Sequence, residues 1–211
     1  KAELYYQHLY EVPIKPNDTT FILSAVNFSS GFTNENFVNE GTARNYGLEL
    51  TLEKFFSKDY YFLATASLFE SKYKMEDGIE RNSMFNSRYI YNLVGGKEFK
   101  VGNNKQNVFG LNMRFMWRGG YRTVPVDLQS SRAISEEVRM YSEAFESKAP
   151  DYFRLDLGIN YRRNKPSWSL DVQNVTSRLN VWDQYYNTET GNMEDITMVG
   201  LLPILNYKVE F

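Results

Sequence analysis

Hydrophobic and polar residues alternate with a period of two along several segments of this chain. In "YFRLDLGINYR" the apolar positions are Phe153, Leu155, Leu157, Ile159 and Tyr161, and the positions between them are polar or glycine. Successive side chains of a β-strand point to opposite faces, so this period predicts a strand with one apolar and one polar face. The same pattern recurs in "AELYYQHLY", "NYGLELTLEKF", "RYIYNLVGGKEF", "NVFGLNMRFMW", "WSLDVQNV" and "LLPILNYKVEF". "DYYFLATASLFESKY" is apolar on both faces, which predicts an eighth strand without assigning its orientation.

The connections between these strands alternate between short and long. Turn-forming residues predict tight turns at 55–59, 100–106 and 163–167, whereas the segments at about 13–43, 73–87, 119–151 and 179–199 are long. Loops above ~15 residues are uncommon in compact soluble domains. Short turns at one end and long loops at the other are typical of outer-membrane barrels. The pattern therefore predicts an all-β fold, an antiparallel transmembrane β-barrel with about eight strands in this chain.

The polar positions of the strands carry charges of both signs. Facing inward, they would form a hydrated wall around the lumen of the barrel. The residues predicted to face the lumen are Glu49, Glu53, Arg114, Arg154, Asp156, Arg162 and Asp171.

Long loops on a rigid scaffold are the expected ligand contacts. Tyr141, Trp182, Tyr185 and Tyr186 could stack on sugars or other rings, or could brace the loops. Within 119–151, Val138, Tyr141 and Phe145 recur at helical spacing, and we expect a short helix that starts at Ser135.

Composition excludes several classes of function. Lys and Arg number 24 and Asp and Glu 26, for a net charge of -2, which does not favour nucleic acid. With no Cys and one His, the sequence predicts no metal site, no cofactor and no thiol- or His-dependent catalysis. Many carboxylates alternate along many strands, so no acid–base pair stands out and we do not expect an enzyme. No apolar run reaches the length of a transmembrane helix.

The end of the chain is unusual because its last residue is aromatic. In "LNYKVEF" the residues Leu205, Tyr207, Val209 and Phe211 alternate with polar ones, and in a barrel they would face lipid. A terminal aromatic residue preceded by alternating apolar residues resembles the signal by which the barrel-assembly machinery recognises outer-membrane proteins.

The order of five segments carries a wider resemblance. "NEGTARNYGLELTLEKFF", "YYFLATASLFESKYK", "NLVGGKEF", "SLDVQNVTSRLNVWDQYY" and "GLLPILNYKVEF" follow one another across nearly the whole chain. Together they resemble the C-terminal part of a TonB-dependent outer-membrane receptor, of the version often built with an N-terminal carboxypeptidase-regulatory-like domain.

This resemblance implies a barrel of about twenty-two strands around a plug, energised through TonB and located in the outer membrane of a Gram-negative bacterium. We therefore expect residues 1–211 to be a C-terminal barrel segment, with the plug domain and the TonB-contacting segment lying elsewhere. The expected partners are outer-membrane lipid, the barrel-assembly machinery, the plug, TonB through the missing part, and an unknown bulky imported nutrient. The polar wall would then be a docking surface for a plug that moves, or a solvated surface only.

Two other interpretations fit the pattern. A self-contained eight-stranded outer-membrane barrel with a structural or adhesive role would close on itself, with side chains filling its interior. A soluble carbohydrate-binding β-sandwich would bury Leu155, Leu157 and Ile159 between two sheets.

Overall fold

The computed structural model describes residues 1–28, 34–163 and 166–209. Their secondary structure consists of strands β1 Ala2–Ile14, β2 Val38–Ser57, β3 Tyr60–Lys74, β4 Glu80–Asn82, β5 Tyr89–Val101, β6 Asn107–Arg118, β7 Arg122–Thr123, β8 Ser147–Lys148, β9 Tyr152–Arg163, β10 Ser167–Gln173, β11 Val181–Asn187, β12 Asn192–Thr197 and β13 Leu202–Lys208, helix α1 Leu128–Ile134, and 3-10 turns at Ala25–Asn27 and Tyr141–Glu143. In these ranges no helix is long and apolar enough to span a membrane.

One antiparallel sheet forms most of the molecule. Its strands follow the order β1-β2-β3-β5-β6-β9-β10-β13, and the short β4 extends it beside β3. The eight long strands are the eight that the alternation predicts. The register also assigns β3, whose orientation the sequence left open: Leu63 and Thr65 lie on the polar face, because they are opposite Glu53 and Thr51. An apolar residue on the polar face is the reason why β3 lacks clear alternation.

The tight turns fall where the sequence predicts them. Between β2 and β3, Lys58 and Asp59 both have positive φ, 54° and 65°, the conformation that matches a two-residue hairpin turn to the strand twist. Gly102, at φ 89°, serves the turn between β5 and β6. The third turn includes residues 164–165, which lie outside the described part, and its Arg163 amide donates to the Pro166 carbonyl at 3.0 Å.

The first and the last of the long connections differ most from the prediction, and short strands β4, β7 and β8 lie in the other two. The first is shorter than 13–43, because β1 continues to Ile14 and β2 begins at Val38. The last, expected to be loop at 179–199, contains the hairpin of β11 and β12. Its two strands, "VWDQYYN" and "NMEDIT", do not alternate apolar and polar residues, so the sequence pattern did not predict them as strands.

The helix prediction in 119–151 was wrong in position. Helix α1 begins after Asp127, whose carboxylate accepts hydrogen bonds from the amides of Gln129 and Ser130, both at 3.0 Å. Ser135 ends the helix instead of starting it, because its φ of 55° is left-handed. Helical spacing farther along produces only the 3-10 turn at Tyr141–Glu143.

The sheet is a single open layer. Leu157 and Ile159 are 44% and 43% exposed, so the sandwich interpretation, which buries them under a second sheet, is wrong. Strands β1 and β13 are the two edges of the sheet: β1 pairs with β2 and β13 pairs with β10, and in the described ranges β1 and β13 do not pair with each other. Closure as an eight-stranded barrel is therefore not observed.

The buried core lies at the long-loop end of the sheet. It consists of Val12, Ile14, Ala43, Tyr73, Met75, Val124, Ala144 and Phe145. Because residues of both strands and long loops form this core, the long connections fold onto the strand ends as a compact body. We call this body the loop cluster; it comprises residues 15–27, 75–88 and 119–151 together with the strand-end residues Val12, Ile14, Ala43 and Tyr73.

Candidate functional site

All seven residues predicted to face the lumen lie on one face of the sheet, which we call the polar face. Asp171 pairs with Gly158, and Arg114 pairs with Asp156 two positions along β9. The pairing continues from Arg114 through β5 and β3 to Glu53 on β2. Directly paired residues share a face, so the register places these seven residues on the same side of the sheet. That this face lines a lumen remains a prediction.

The centre of the polar face is an ionic cluster on β6 and β9. The Asp156 carboxylate accepts hydrogen bonds from Arg154 Nε at 2.7 Å and from the Asn174 amide at 2.8 Å. Arg114 stands opposite Asp156. A cleft of about 240 Å³ lies beside this cluster, lined also by Tyr61 and Asp171. The arrangement can receive a charged or hydrogen-bonding group from outside the sheet.

Glycines leave positions without a side chain on the polar face next to this cluster. Gly96 and Gly158 flank Asn112 on the two neighbouring strands. A Cβ at Gly96 would lie 2.6 Å from the ring of Tyr61, whose hydroxyl reaches Asn112 Oδ1 at 3.2 Å. A Cβ at Gly158 would lie 2.4 Å from Asp171 Oδ1. The two neighbouring side chains therefore lie across the glycines and close to the backbone.

Charge is distributed unevenly over the polar face. On β1 and β2, Glu3 is directly opposite Glu49, and Glu53 follows on the same face. Arg154 and Arg162 occupy this face on β9. Like charges directly opposite each other are destabilising unless cations balance them; Lys1, at 2.8 Å from Glu3, provides one such cation. The β1–β2 part of the face therefore favours a cationic neighbour.

The opposite face, which we call the apolar face, carries aromatic residues in two sets. One row crosses five adjacent strands through Phe99, Phe109, Tyr161, Trp168 and Tyr207. The other, Tyr91, Trp117 and Phe153, lies eight residues farther along the strands. Eight residues span ~26 Å along a strand, or roughly 20 Å of height at the usual barrel tilt, close to the apolar band of an outer-membrane barrel.

Two residues of the predicted assembly signal, Leu205 and Tyr207, lie on the apolar face opposite Leu170 and Trp168, and Val209 follows the end of β13. Leu205, Tyr207 and Val209 are 69%, 55% and 39% exposed. Phe211 lies outside the described residues. Recognition by an assembly machinery remains a prediction.

Tyr73 is the centre of the loop cluster. It is 1% exposed, its hydroxyl donates to the Phe21 carbonyl, and its ring meets Phe145 with centroids 6.2 Å apart. The guanidinium of Arg81 lies 4.1 Å from the centre of the Phe21 ring. Three separate loops are thus fixed to the end of β3.

Asp151 ties the loop 119–151 to β5. Its carboxylate accepts hydrogen bonds from the Tyr89 hydroxyl and the Gly120 amide, and pairs with Lys148 at 2.8 Å. Burial acts to raise the pKa of Asp151, but the hydrogen bonds from Lys148, Tyr89 and Gly120 outweigh it and lower that pKa to about 2. The loop is therefore fixed by an ionised carboxylate.

Sequence reasoning missed a buried polar network beside this site. Asn86 is fully buried and donates to Glu70 and to Asn82, both at 2.8 Å. Arg122, 7% exposed, donates to the backbone carbonyls of Asn86 and Glu146 at 3.2 Å. The available signal was the run "RNSMFNS", rich in residues that bond to nearby backbone, but its partners are distant in sequence.

The hairpin of β11 and β12 docks on the loop 119–151. Arg132 of α1 donates through Nε to the Gly191 carbonyl at 2.7 Å and through Nη2 to Asn192 Oδ1 at 2.8 Å. Glu137 accepts from the Tyr186 amide at 3.3 Å. Between the two segments lies a cavity of about 230 Å³, lined in part by Arg139 and Asp183. This cavity is a candidate site for ligand contact.

The four aromatic residues predicted for ligand contact divide into two pairs. Tyr186 is 7% exposed, and Tyr141 packs against the buried core, so both brace the loops. Trp182 and Tyr185 are 66% and 43% exposed. The Tyr185 hydroxyl donates to Glu194 Oε2 at 2.9 Å. Ligand contact by any of the four stays a prediction, and the exposed pair is the more accessible.

No group of three or more potential metal ligands comes together in the described part of the chain.

Comparison with known proteins gives one family and one fold. Residues 12–175 match the model of the family described as TonB dependent receptor-like, beta-barrel. The structure also matches the crystal structure of the ferric-catecholate import receptor Fiu from K12 E. coli in its closed form, with a TM-score of 0.60 and 11% identity, over 100% of this chain and 25% of that one. No curated protein matches the sequence. At this identity the structural likeness shows the fold alone.

Proposed function

This chain belongs to the family of TonB-dependent receptor β-barrels, and from that premise we propose that it forms the C-terminal wall of a receptor importing a bulky nutrient. Its antiparallel sheet is a fragment of such a barrel, and the members of this family are outer-membrane receptors. The chain spans a quarter of the length of the solved receptor that it matches. The activity of the whole receptor is therefore part of the proposal.

The observation that supports the proposal best is the division of the sheet into two faces. The apolar face would contact lipid, and the polar face, with Arg114 and Asp156 at its centre, would line the conduit. The loop cluster and the docked hairpin would form the outer mouth, where the nutrient is first captured. Residues 1–211 would thus be a barrel segment, and plug and TonB-contacting parts would belong to the remainder of the protein.

In this mechanism the wall stays rigid while the plug moves. Eight strands paired by backbone hydrogen bonds resist deformation, and the cleft at Tyr61, Arg114 and Asp171 offers charged groups to the plug. Force transmitted by TonB would rearrange the plug and open a path along the polar face. The barrel-assembly machinery would insert the barrel, with Leu205, Tyr207 and Phe211 as part of its recognition signal. None of these steps uses catalysis or a cofactor.

The imported nutrient is a metal chelate, a glycan or a peptide. The solved neighbour is described as a ferric-catecholate import receptor, so ferric catecholate is the first ligand to try. Trp182 and Tyr185, both exposed on the hairpin, are suited to stacking on planar rings.

Cysteine labelling in whole cells tests the orientation. Residues 1–211 contain no Cys, so in a full-length receptor whose cysteines outside this segment are replaced by Ser, single cysteines at exposed Thr188, in the hairpin tip, and exposed Asn103, in a tight turn, give clean readouts. A membrane-impermeant maleimide should label Thr188→Cys and spare Asn103→Cys until the cells are lysed. Labelling of the turn alone would refute the proposed orientation.

Uptake tests the transport function. Cells that express the full-length receptor should accumulate radiolabelled ferric catecholate, or a labelled glycan or peptide, only when TonB is functional. A receptor placed correctly in the outer membrane that raises uptake of none of these probes would argue against the nutrient classes named above.

A further inference from the structure

The apolar face has a groove that its alternating pattern does not predict. At Gly95 on β5 a side chain is missing from a surface that is otherwise covered by Phe62, Met113 and Leu157 in the same row across four strands. The resulting depression has a volume of about 660 Å³. This lies within the range of ~300–1,000 Å³ that is usual for small-molecule sites.

The walls of the groove are almost entirely apolar. Leu111, Met113, Leu157 and Ile159 are each between 36% and 44% exposed, so their side chains stand at its rim and are not covered by protein. A straight hydrocarbon chain fits such walls, because it removes apolar surface from contact with water or mobile lipid without leaving a polar group unpaired.

A single cation stands at one end of the groove. Lys97 lies on the apolar face between Gly95 and Phe99, in the row with Tyr60 and Leu111. No carboxylate of the described residues lies within ion-pair distance of Lys97, and its Nζ is 5.2 Å from the centre of the Phe99 ring. A lysine facing lipid is costly inside the apolar band and inexpensive at its edge, where its head reaches the interface.

Lys54, on β2 beyond β3, shows that not every lysine of the apolar face needs an external partner. Its Nζ donates to Ser57 Oγ at 2.8 Å and to the carbonyls of Ser57 and Tyr60 at 2.7 and 3.1 Å, and it covers the Tyr60 ring. Lys54 therefore stabilises the turn between β2 and β3, whereas among the residues that the structure describes Lys97 has no comparable acceptors and is available to an anion.

We propose that the Gly95 groove binds one acyl chain of a phospholipid whose phosphate contacts the Lys97 ammonium. The occupant is a lipid because the cavity is apolar, opens onto the face that carries the aromatic rows, and ends at a cation on the tight-turn side. The lipid would belong to the leaflet on that side. This inference rests on the proposed membrane location of the wall.

Native mass spectrometry tests the proposal on the full-length receptor. After delipidation the receptor is incubated with dioleoyl phosphatidylglycerol in detergent, and retained lipid is counted. Lys97→Gln should reduce retention about fivefold, the effect of one cation near a lipid phosphate. Gly95→Leu, which fills the groove, should reduce it at least as much. A Cβ at Gly95 would lie 3.3 Å from the Tyr61 carbonyl oxygen and 3.5 Å from Phe62 Cβ, so the change requires the neighbouring strand to shift by a few tenths of an ångström.

Matched variants separate the site from general effects. Lys100→Gln removes a charge from the other face of the same strand, and Ala66→Leu adds bulk to the apolar face away from the groove; both should retain lipid like the wild type. Met113→Trp fills the groove from β6 and provides a second test if Gly95→Leu folds poorly. Heat-modifiable migration on a gel checks that each barrel is folded.

Two further binding measurements identify the part of the lipid that is recognised. Inorganic phosphate should not displace the lipid, and dioleoylglycerol, which lacks phosphate, should bind about as weakly to the wild type as phosphatidylglycerol binds to Lys97→Gln. Equal retention by wild type, Lys97→Gln and Gly95→Leu would overturn the lipid site while leaving a transporting receptor intact. Recovery of the receptor outside the outer membrane would instead refute the proposed function.

Discussion

The strand wall and the loop cluster of this protein are stabilised in opposite ways. In the wall, Leu157 and Ile159 are more than two-fifths exposed, and stability comes from backbone pairing and from the lipid that would cover the apolar face. In the loop cluster, Ile14 and Tyr73 are almost fully buried, as in a soluble protein. The comparison teaches that one chain can leave its apolar side chains exposed on a paired sheet in one region and bury them against one another in another.

The two regions also differ in how polar groups are satisfied. The wall pairs its amides and carbonyls strand to strand, which closed barrels require in lipid. The loop cluster relies on side chains such as Arg122, which donates to the backbone carbonyls of Asn86 and Glu146. The effect of replacing a side chain on stability should therefore be local in the loop cluster, whereas a charge introduced on the apolar face of the wall should affect insertion of the whole barrel.

The largest effect is expected at the centre of the loop cluster. Tyr73→Ala should lower the local free energy of unfolding of the loop cluster by roughly 3–5 kcal/mol, because it leaves a cavity and an unpaired Phe21 carbonyl. Hydrogen exchange of the full-length receptor in detergent should show faster exchange in residues 15–27 and 141–145, with β9 and β10 unchanged. Tyr73→Phe, which loses only the hydroxyl, should cost about 0.5–1.5 kcal/mol. Equal acceleration in β9 would break the distinction between the regions.

The next effect is expected in the wall. Leu157→Arg places a cation on the apolar face and should reduce barrel stability by about 2–4 kcal/mol if this position lies near the bilayer midplane. Unfolding by guanidinium of the receptor refolded in lipid vesicles measures this loss of stability. Ser169→Arg, on the polar face of the neighbouring strand, is the matched control and should change stability by much less. A similar loss in both variants would show that the apolar face does not contact lipid.

Low pH should loosen the loop cluster before the wall. The carboxyl of Asp151 has its pKa lowered to about 2 from the usual 3.8. The stability it supplies is fully present above pH ~4 and is lost as pH falls towards about 2. Allowing for solvent screening at a side chain that is 30% exposed, we expect a loss of about 1 kcal/mol. Pepsin, active in this range, should cleave 119–151 increasingly as pH falls, and Asp151→Asn should abolish this dependence.

The smallest effect is expected where the hairpin meets α1. Arg132→Ala removes two hydrogen bonds to the hairpin tip and should cost about 0.5–1 kcal/mol at this exposed site. Hydrogen exchange at residues 187–192 is the readout, and Arg132→Lys should recover part of the protection because it keeps one donor. Unchanged exchange would mean that the hairpin holds its position without α1.

Alternation predicted both faces of the wall except in β3, because every side chain of a strand has only two directions to face. Leu155, Leu157 and Ile159 predicted the apolar face, and Arg154 and Asp156 the polar face, each from neighbours one or two residues away. The loops follow no such rule. Ser135 looked like the start of a helix and is its end, because the αL conformation it adopts and the Asp127 carboxylate at the other end decide the boundaries.

By itself, the sequence determined the strand order along the chain, the positions of the tight turns, the composition of the two faces and the resemblance to TonB-dependent receptors. These features depend on the spacing of residues that are close together in the sequence. Only the tertiary structure decided that Tyr73 meets Phe21 and Phe145, that Asp151 reaches Tyr89 and Gly120, and that Gly95 opens a groove beside Lys97. Such contacts join residues far apart in the chain or on different strands, and they depend on register and on the paths of loops, for which local spacing has no signal.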